Sequence, residues 1–206
     1  MSQKSTRSPK VALVVASKNK DKQKEIARLL LNVHYQVLSL WDFPECKDVV
    51  EDGKTFEANA IKKAKFYSQH TQLLVVADDS GLMIYALNGK PGVYSARFAG
   101  PGCTYLDNNR KVLKSLKGKP DSKRKAKFVS VVALYDKGKK IAVVRGECRG
   151  RIAHEMVGAN GFGYDPVFIP EKSTRTFAEL SPLQKNRISH RSRALAKAKA
   201  ILQKLS

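Results

Sequence analysis

Leu73-Leu74-Val75-Val76-Ala77-Asp78-Asp79-Ser80-Gly81-Leu82 carries an apolar run straight into two adjacent carboxylates, a hydroxyl and a glycine. A short run rich in Val and Leu marks a buried strand. Carboxylates at its end pack poorly, because a buried, unpaired carboxylate costs several kcal/mol. They make sense where the strand stops at a cleft that receives a cation or a water. Successive strand residues face opposite sides, so one of the pair enters that cleft. We assign that place to Asp79, since Ser80-Gly81 then forms a tight corner of close approach. An ordinary Asp-Asp-Ser-Gly turn is the competing reading.

Upstream, Val11 to Ala16 reads as a first buried strand. Ile26, Leu29, Leu30 and Val33 then fall on one helical face. The intervening hexapeptide Ser17-Lys18-Asn19-Lys20-Asp21-Lys22 is therefore a strand-to-helix loop. Such a loop presents free N–H groups at the positive end of a helix dipole. With three lysines it is a candidate phosphate cradle; a plain capped helix start is the alternative. It contains no glycine, so it is neither a P-loop nor a dinucleotide fingerprint. Tyr35 to Leu40 suggests a second strand. Thr55 caps a helix whose inward stripe is Phe56, Ala60, Ala64 and Tyr67, with Ile61 beside them. Asn59 and Lys63 are stacked on one face of it. Glu51, just ahead, is positioned to supply a second carboxylate; as an alternative, Glu51 and Asp52 form an acidic lead-in to the helix.

Downstream, Leu82 to Leu87 is expected as a further strand and Asn88 to Gly92 as a turn. Thr104 with Asp107 makes a capping box for a helix with stripe Tyr105, Asn109, Val112 and Leu116. Ala126 to Tyr135 and Ile141 to Glu147 form a hairpin across Asp136-Lys137-Gly138-Lys139, with bent or bulged strands expected near Gly146 and Gly150. In Gly158 to Pro166, three glycines flank Phe162 and Tyr164, a flexible backbone beside two flat rings that suits a planar base. A glycine-rich turn before the strand Val167 to Ile169 is the alternative. Ser181-Pro182-Leu183-Gln184 is a strong helix start. Lys185, His190 and Arg191 share no single helical face, so we expect a break recapped by Ser189 to bring them together.

The 206-residue chain suits one domain over residues 11–206, behind a basic tail at 1–10. Three scattered cysteines in no metal spacing imply reduced thiols and a cytoplasmic setting. The longest apolar run is far too short to span a bilayer, and the start lacks an apolar signal segment. The net charge of +21 calls for a polyanionic partner, either a nucleotide polyphosphate or a nucleic acid. The dense basic run Lys111 to Lys127 holds few aromatics, unlike a single-strand binder.

Six motifs then stand in order: Ser17-x-Asn19-x-x-Lys22-x-x-Glu25; Thr55-Phe-Glu-Ala-Asn59-Ala-x-x-Lys63-Ala; Ala77-Asp-Asp-Ser-Gly-Leu82; Pro91-Gly-Val-Tyr-Ser-Ala-Arg97; Gly161-Phe-Gly-Tyr-Asp-Pro166; and Lys185-x-x-Ile188-Ser-His-Arg191. This set resembles the inosine triphosphate pyrophosphatase family from about residue 11 to the end. The resemblance implies a two-lobed α/β fold, a long mixed β-sheet flanked by helices with the active-site cleft between the lobes. It implies a hydrolase that converts ITP, dITP and XTP to the monophosphate and pyrophosphate, with Mg²⁺ as cofactor, usually as a homodimer. By motif, Asp79 is the base that activates water and also approaches the metal; Glu51 is the second metal carboxylate. Ser17, Lys18, Asn19, Lys20, Asp21, Lys22, Lys63 and Ser80 surround the triphosphate. Phe162, Gly163, Tyr164, Asp165, Lys185, His190 and Arg191 hold base and sugar. Position 17 is Ser where Thr is common in the family, and the basic charge is high for it. A related Mg²⁺ hydrolase of another nucleotide and a basic nucleic-acid-binding module are the rival readings. Neither a membrane nor bound nucleic acid is required.

Overall fold

The computed structural model describes residues 11–31 and 33–205; the expected basic tail lies outside them. One six-stranded mixed sheet organises the chain, in the order β2-β1-β3-β4-β5-β6. The strands are β1 (Val11–Val15), β2 (Tyr35–Ser39), β3 (Leu74–Ile84), β4 (Lys125–Asp136), β5 (Lys139–Ile152) and β6 (Phe168–Pro170). β2, β1 and β3 run parallel, and β3 through β6 run antiparallel. The helices are α1 (Lys20–Leu29), α2 (Phe56–Thr71), α3 (Tyr105–Ser115), α4 (Pro182–Ile188) and α5 (His190–Leu202).

Three apolar clusters follow from strand alternation. Leu13, Val15, Val76, Val132 and Leu134 face α1 and α5, where Ile26, Leu30, Leu195 and Leu202 meet them. Val14, Val75, Ala77, Val129 and Val131 face α2 through Phe56, Ala60, Ala64 and Tyr67. A third cluster joins Leu82, Ile84 and Phe128 to Val112 of α3, to Leu116 at its C-cap, and to Phe168 and Phe177. β3, β4 and β5 are 11, 12 and 14 residues long, about twice the usual strand. They therefore run through both lobes, the larger around α1, α2 and α5, the smaller around α3 and β6.

The expected corner at Ser80-Gly81 is absent. β3 continues through Asp78, Asp79, Ser80 and Gly81, which stand opposite Val132, Val131, Ser130 and Val129 of β4. The antiparallel partner satisfies the backbone throughout, and cations on both faces neutralise the carboxylates, so nothing obliges the strand to stop. The close approach expected at Gly81 is present without the corner: a Cβ there would meet the Ser95 hydroxyl and, at 2.6 Å, the Gly92 carbonyl. The separate strand expected at Leu82 to Leu87 is the end of β3 followed by a 3₁₀ turn, Tyr85–Leu87. Helix α1 ends at Leu29, so Val33 is buried from the following loop rather than from a fourth turn.

The hairpin between β4 and β5 turns on Lys137 and Gly138, both at positive φ, as a tight hairpin turn requires. The register shift falls at Leu134/Tyr135, not at Gly146 or Gly150. Those glycines serve close packing. A Cβ at Gly146 would collide with the His190 carbonyl oxygen and the Ala194 amide of α5, and one at Gly150 with the Ile169 carbonyl. Gly146→Ala should therefore force α5 off the sheet and lower stability by about 1–3 kcal/mol. Urea denaturation reads this directly; an unchanged midpoint would show that α5 does not rest on bare backbone there.

Candidate active site

Asp78 and Asp79 point to opposite faces of β3, as alternation demands. Asp78 is fully enclosed. Its Oδ2 lies 3.2 Å from Lys22 Nζ of α1 and 3.5 Å from Arg191 of α5. Ser80 Oγ donates to the same oxygen at 2.9 Å, and Ser130 Oγ donates to Oδ1. Burial pushes the Asp78 carboxyl up, but Arg191, Lys22 and the Ser130 hydroxyl hold it far below the usual carboxylate range.

Asp79 faces α2. Thr55 caps that helix by accepting the Ala58 N–H, which sets Asn59 and Lys63 one turn apart on the sheet-facing side. Asn59 Nδ2 reaches Asp79 Oδ2 at 3.3 Å, and Lys63 Nζ lies 3.4 Å from Oδ1. Lys63 Nζ also donates to the Asp78 carbonyl and to Glu51 Oε2, each at 2.9 Å. Asn59 Oδ1 accepts the Gly53 N–H at 2.8 Å, pinning the Glu51 loop. Burial, joined by the neighbouring Glu51 and Asp78 charges, raises the Asp79 carboxyl against the pull of Lys63 and Lys22. Glu51 goes the other way: burial lifts it, but Lys63 more than offsets that and holds it down. Environments that split two adjacent carboxyls in this way separate a proton acceptor from a permanent anion.

Glu51, Lys63, Asp79, Ser80, Ser17, Lys18, Asn19 and Lys22 line one cavity of about 560 Å³. Asn19 forms the N-cap of α1, its Oδ1 accepting from Asp21 and Lys22 N–H groups. Lys18 is drawn to Asp48. Two of the expected phosphate ligands do not join the cavity. Lys20 is exposed, with its ammonium 5.8 Å from the Trp41 ring centre; Asp21 takes the Tyr105 hydroxyl instead. Asp52 pairs with Lys62 at the surface. Arg97, which no sequence argument placed, lines the same cavity and donates to the Glu51 carbonyl at 3.4 Å.

A second cavity adjoins it, lined by Phe162, Gly163, Tyr164, Asp165, Lys185, His190 and Arg191. The expected break is present: α4 ends at Ile188, and Ser189, extended at ψ 157°, recaps α5 by accepting the Ser192 N–H. Lys185 donates to Asp165 Oδ2 at 2.6 Å, and its ammonium lies 4.9 Å from the Phe162 ring centre. Asp165 also accepts the Phe162 N–H, which shapes the glycine loop; burial pushes its carboxyl up against the pull of Lys185. Arg191 lines this second cavity and reaches the first through Ser80, which lines both. It bonds Glu25 and donates to Ser80 Oγ at 2.8 Å, with its guanidinium 5.6 Å from the Phe162 ring. His190 stacks on Phe128 at 4.5 Å and 8°. Burial, then Arg191 and Lys185, push its imidazole well below the ordinary value, so it is neutral at pH 7.

Tyr164 corrects the sequence reading: its ring is buried and its hydroxyl donates to the Ser95 carbonyl at 2.8 Å, so it supports the pocket rather than offering a free face. Glu25 was missed as a site residue. It is buried beside Ile26 and anchors both Arg191 and Lys185. The signal was there: a carboxylate on the apolar face of α1 needs a cation.

Asp78→Asn strands Lys22 and Arg191 beside a neutral group and should destabilise the protein by about 3–5 kcal/mol at pH 7. The folded carboxyl titrates below its unfolded value of about 3.9, so this gap is full above that pH and shrinks as pH falls toward the folded value. In chelator, Asp79→Asn should leave stability equal to or above wild type, because Asp79 is raised rather than lowered. Thermal melts of both variants from pH 3 to 7 check the pair; equal losses would contradict it.

Residues 13–201 match the family model described as the Ham1 family. The chain is 49% identical to the dITP/XTP pyrophosphatase of Shouchella clausii over 93% of its own length and 96% of that protein. It is 50% identical to the dITP/XTP pyrophosphatase of Bacillus cereus, covering 90% and 91% of the two chains. The structure of a HAM1 protein from Coxiella burnetii superposes with a TM-score of 0.86 at 41% identity, covering 94% of this chain and 99% of that one. The Staphylococcus aureus Ham1 protein gives 0.84 at 38% identity, covering 95% and 100%. With its six motifs folded into adjoining cavities, this chain belongs to the Ham1 family.

Proposed function

We propose that this protein hydrolyses nonstandard purine nucleoside triphosphates, ITP, dITP and XTP, to the monophosphate and pyrophosphate. The observation that carries the reading is the adjacency of the two cavities. One gathers Lys63, Glu51 and Asp79; the other gathers Phe162, Lys185, His190 and Arg191; Asn19, Lys22 and Ser80 line both. Relatives at this level of identity bear the name dITP/XTP pyrophosphatase.

The donor set fits Mg²⁺. Glu51 and Asp79 both contact Lys63 Nζ and line one cavity, which presents hard carboxylate oxygens close together. Among the described residues no cluster of three or more His, Cys, Asp or Glu side chains is placed to hold a metal. Mg²⁺ suits such a site, because it takes one or two carboxylates and completes its shell with water and substrate phosphates. When bound there, it would offset charge on the triphosphate and on the departing pyrophosphate.

The protein's own groups supply the rest. Lys22, Lys63 and Arg97 neutralise phosphate oxygens that carry about four negative charges. Asp79 accepts a proton from the attacking water. The water oxygen bonds to the α-phosphorus, and the bond to the bridging oxygen breaks to release pyrophosphate. The raised Asp79 carboxyl is suited to a proton acceptor, while Glu51 stays ionised. On the base side, neutral His190 can donate one ring N–H to a 6-oxo group. Adenine's 6-amino group would leave that donor unpaired, a penalty that reaches roughly 10⁴-fold at buried sites.

Three free cysteines fit a reducing compartment, and no helix among the described residues is long and apolar enough to cross a membrane. We place the enzyme in the cytoplasm, acting on the nucleotide pool as a homodimer. A substrate panel scored for pyrophosphate tests the function. ITP, dITP and XTP should exceed ATP in kcat/KM by at least about 10³-fold, with turnover lost in chelator. Asp79→Asn should lower kcat by about 10³-fold with little change in KM. Comparable turnover of ATP or dUTP, or a fully active Asp79→Asn variant, would refute the assignment.

A further inference from the structure

Tyr105 opens α3 in the smaller lobe and reaches across the cleft to α1. Its hydroxyl accepts from Asn19 Nδ2 at 2.9 Å and donates to Asp21 Oδ2 at 3.4 Å. Its ring centre lies 6.1 Å from that of Phe162, with the planes tilted by 43°. Both rings line the cavity that holds Lys185, His190 and Arg191. The fold does not need this ring. Thr104 and Asp107 cap the helix, and Val112 and Leu116 anchor it in the core. Tyr105 itself is 40% exposed, whereas Asn108 and Asn109 beside it are buried. A large aromatic side chain is thus left standing at the mouth of the pocket.

We propose that Tyr105 is a substrate-binding residue, whose ring forms the second wall of the nucleoside slot opposite Phe162. This rests on the nucleotide reading above. A flat base between two rings buries both of its faces. A base stacked at van der Waals distance on each side needs the rings about 7 Å apart. From the observed 6.1 Å and 43°, Tyr105 has to swing outward and turn toward parallel, a motion open to an exposed side chain with two rotatable bonds once its hydroxyl gives up or stretches its bonds to Asn19 and Asp21. Stacking tolerates every base, so Tyr105 contributes affinity, while His190, Lys185 and Arg191 select among bases. The wall is built from the lobe that does not carry the phosphate cradle.

Steady-state kinetics on the full chain test this, with inorganic tripolyphosphate as a competitive inhibitor that lacks a base. Tyr105→Ala should raise KM for ITP and for XTP by the same factor, between about 5- and 150-fold, with kcat within about threefold. The inhibition constant of tripolyphosphate should stay unchanged, and Tyr105→Phe should restore KM to within about threefold of wild type. An unaltered KM in Tyr105→Ala overturns the proposal. A parallel rise in the tripolyphosphate constant also overturns it, because Tyr105 would then act through Asn19 on the phosphate side. So does a Tyr105→Phe variant as impaired as Tyr105→Ala. A wild-type enzyme that fails to release pyrophosphate from ITP would instead bring down the nucleotide reading itself.

Discussion

Burying charge is the constraint on which this structure depends. Glu25, Asp78, Asp79 and Asp165 lie out of water behind the cleft, and Lys63, Lys185 and Arg191 lie out of water with them. Each would cost several kcal/mol alone. They persist because they come in matched contacts: Asp78 with Lys22 and Arg191, Glu25 with Lys185 and Arg191, Asp79 and Glu51 with Lys63. The cations come from α1, α2, α4 and α5, the carboxylates from the strand, loops and helix between them. Removing Asp78, Glu25 or Arg191 leaves an uncompensated neighbour, so these elements are locked in place by electrostatics as well as by apolar packing. Under the proposed function, the same network holds its cations in position for a polyphosphate.

The fold puts that network where two lobes meet. β3 lines both cavities through Ser80, and β4 lines the second through Phe128. Alternation along β3 gives Asp78 to the α1 and α5 side and Asp79 to the α2 side. Asp78 thereby becomes a positioning residue that orients Lys22 and Arg191, and Asp79 is left at the cavity wall with its carboxyl raised by burial. Arg191 links the two halves of the site, since one guanidinium reaches both the Ser80 hydroxyl and the Phe162 ring.

Features with local causes were legible in the sequence. Thr55, the Thr104 and Asp107 pair, Ser181 with Pro182, and Ser189 each satisfy their own helix start, so a few neighbouring residues sufficed to place them. The Ser189 break followed from the impossibility of placing Lys185, His190 and Arg191 on one helical face. Features with distant causes were not legible. The passage of β3 straight through Asp78 and Asp79 depends on Lys22, Lys63 and Arg191, which come from three different helices. The small size of Gly146 depends on α5, and the burial of Tyr164 on the Ser95 carbonyl. Lys20 looked equivalent to Lys22 until the turn of α1 carried it outward to Trp41. Tyr105 passed as one residue of a stripe because the Phe162 ring opposite it belongs to another segment.

We propose that Glu51 and Asp79 meet at the phosphate end of the cleft to share a divalent ion with the nucleotide. Anomalous diffraction from crystals soaked in Mn²⁺ with a non-hydrolysable ITP analogue locates that ion. A single strong peak is expected, bonded to carboxylate oxygens of both residues and to the triphosphate, with the purine beside Phe162 and His190. A peak remote from Asp79, or a triphosphate bound away from Lys22 and Lys63, would contradict it.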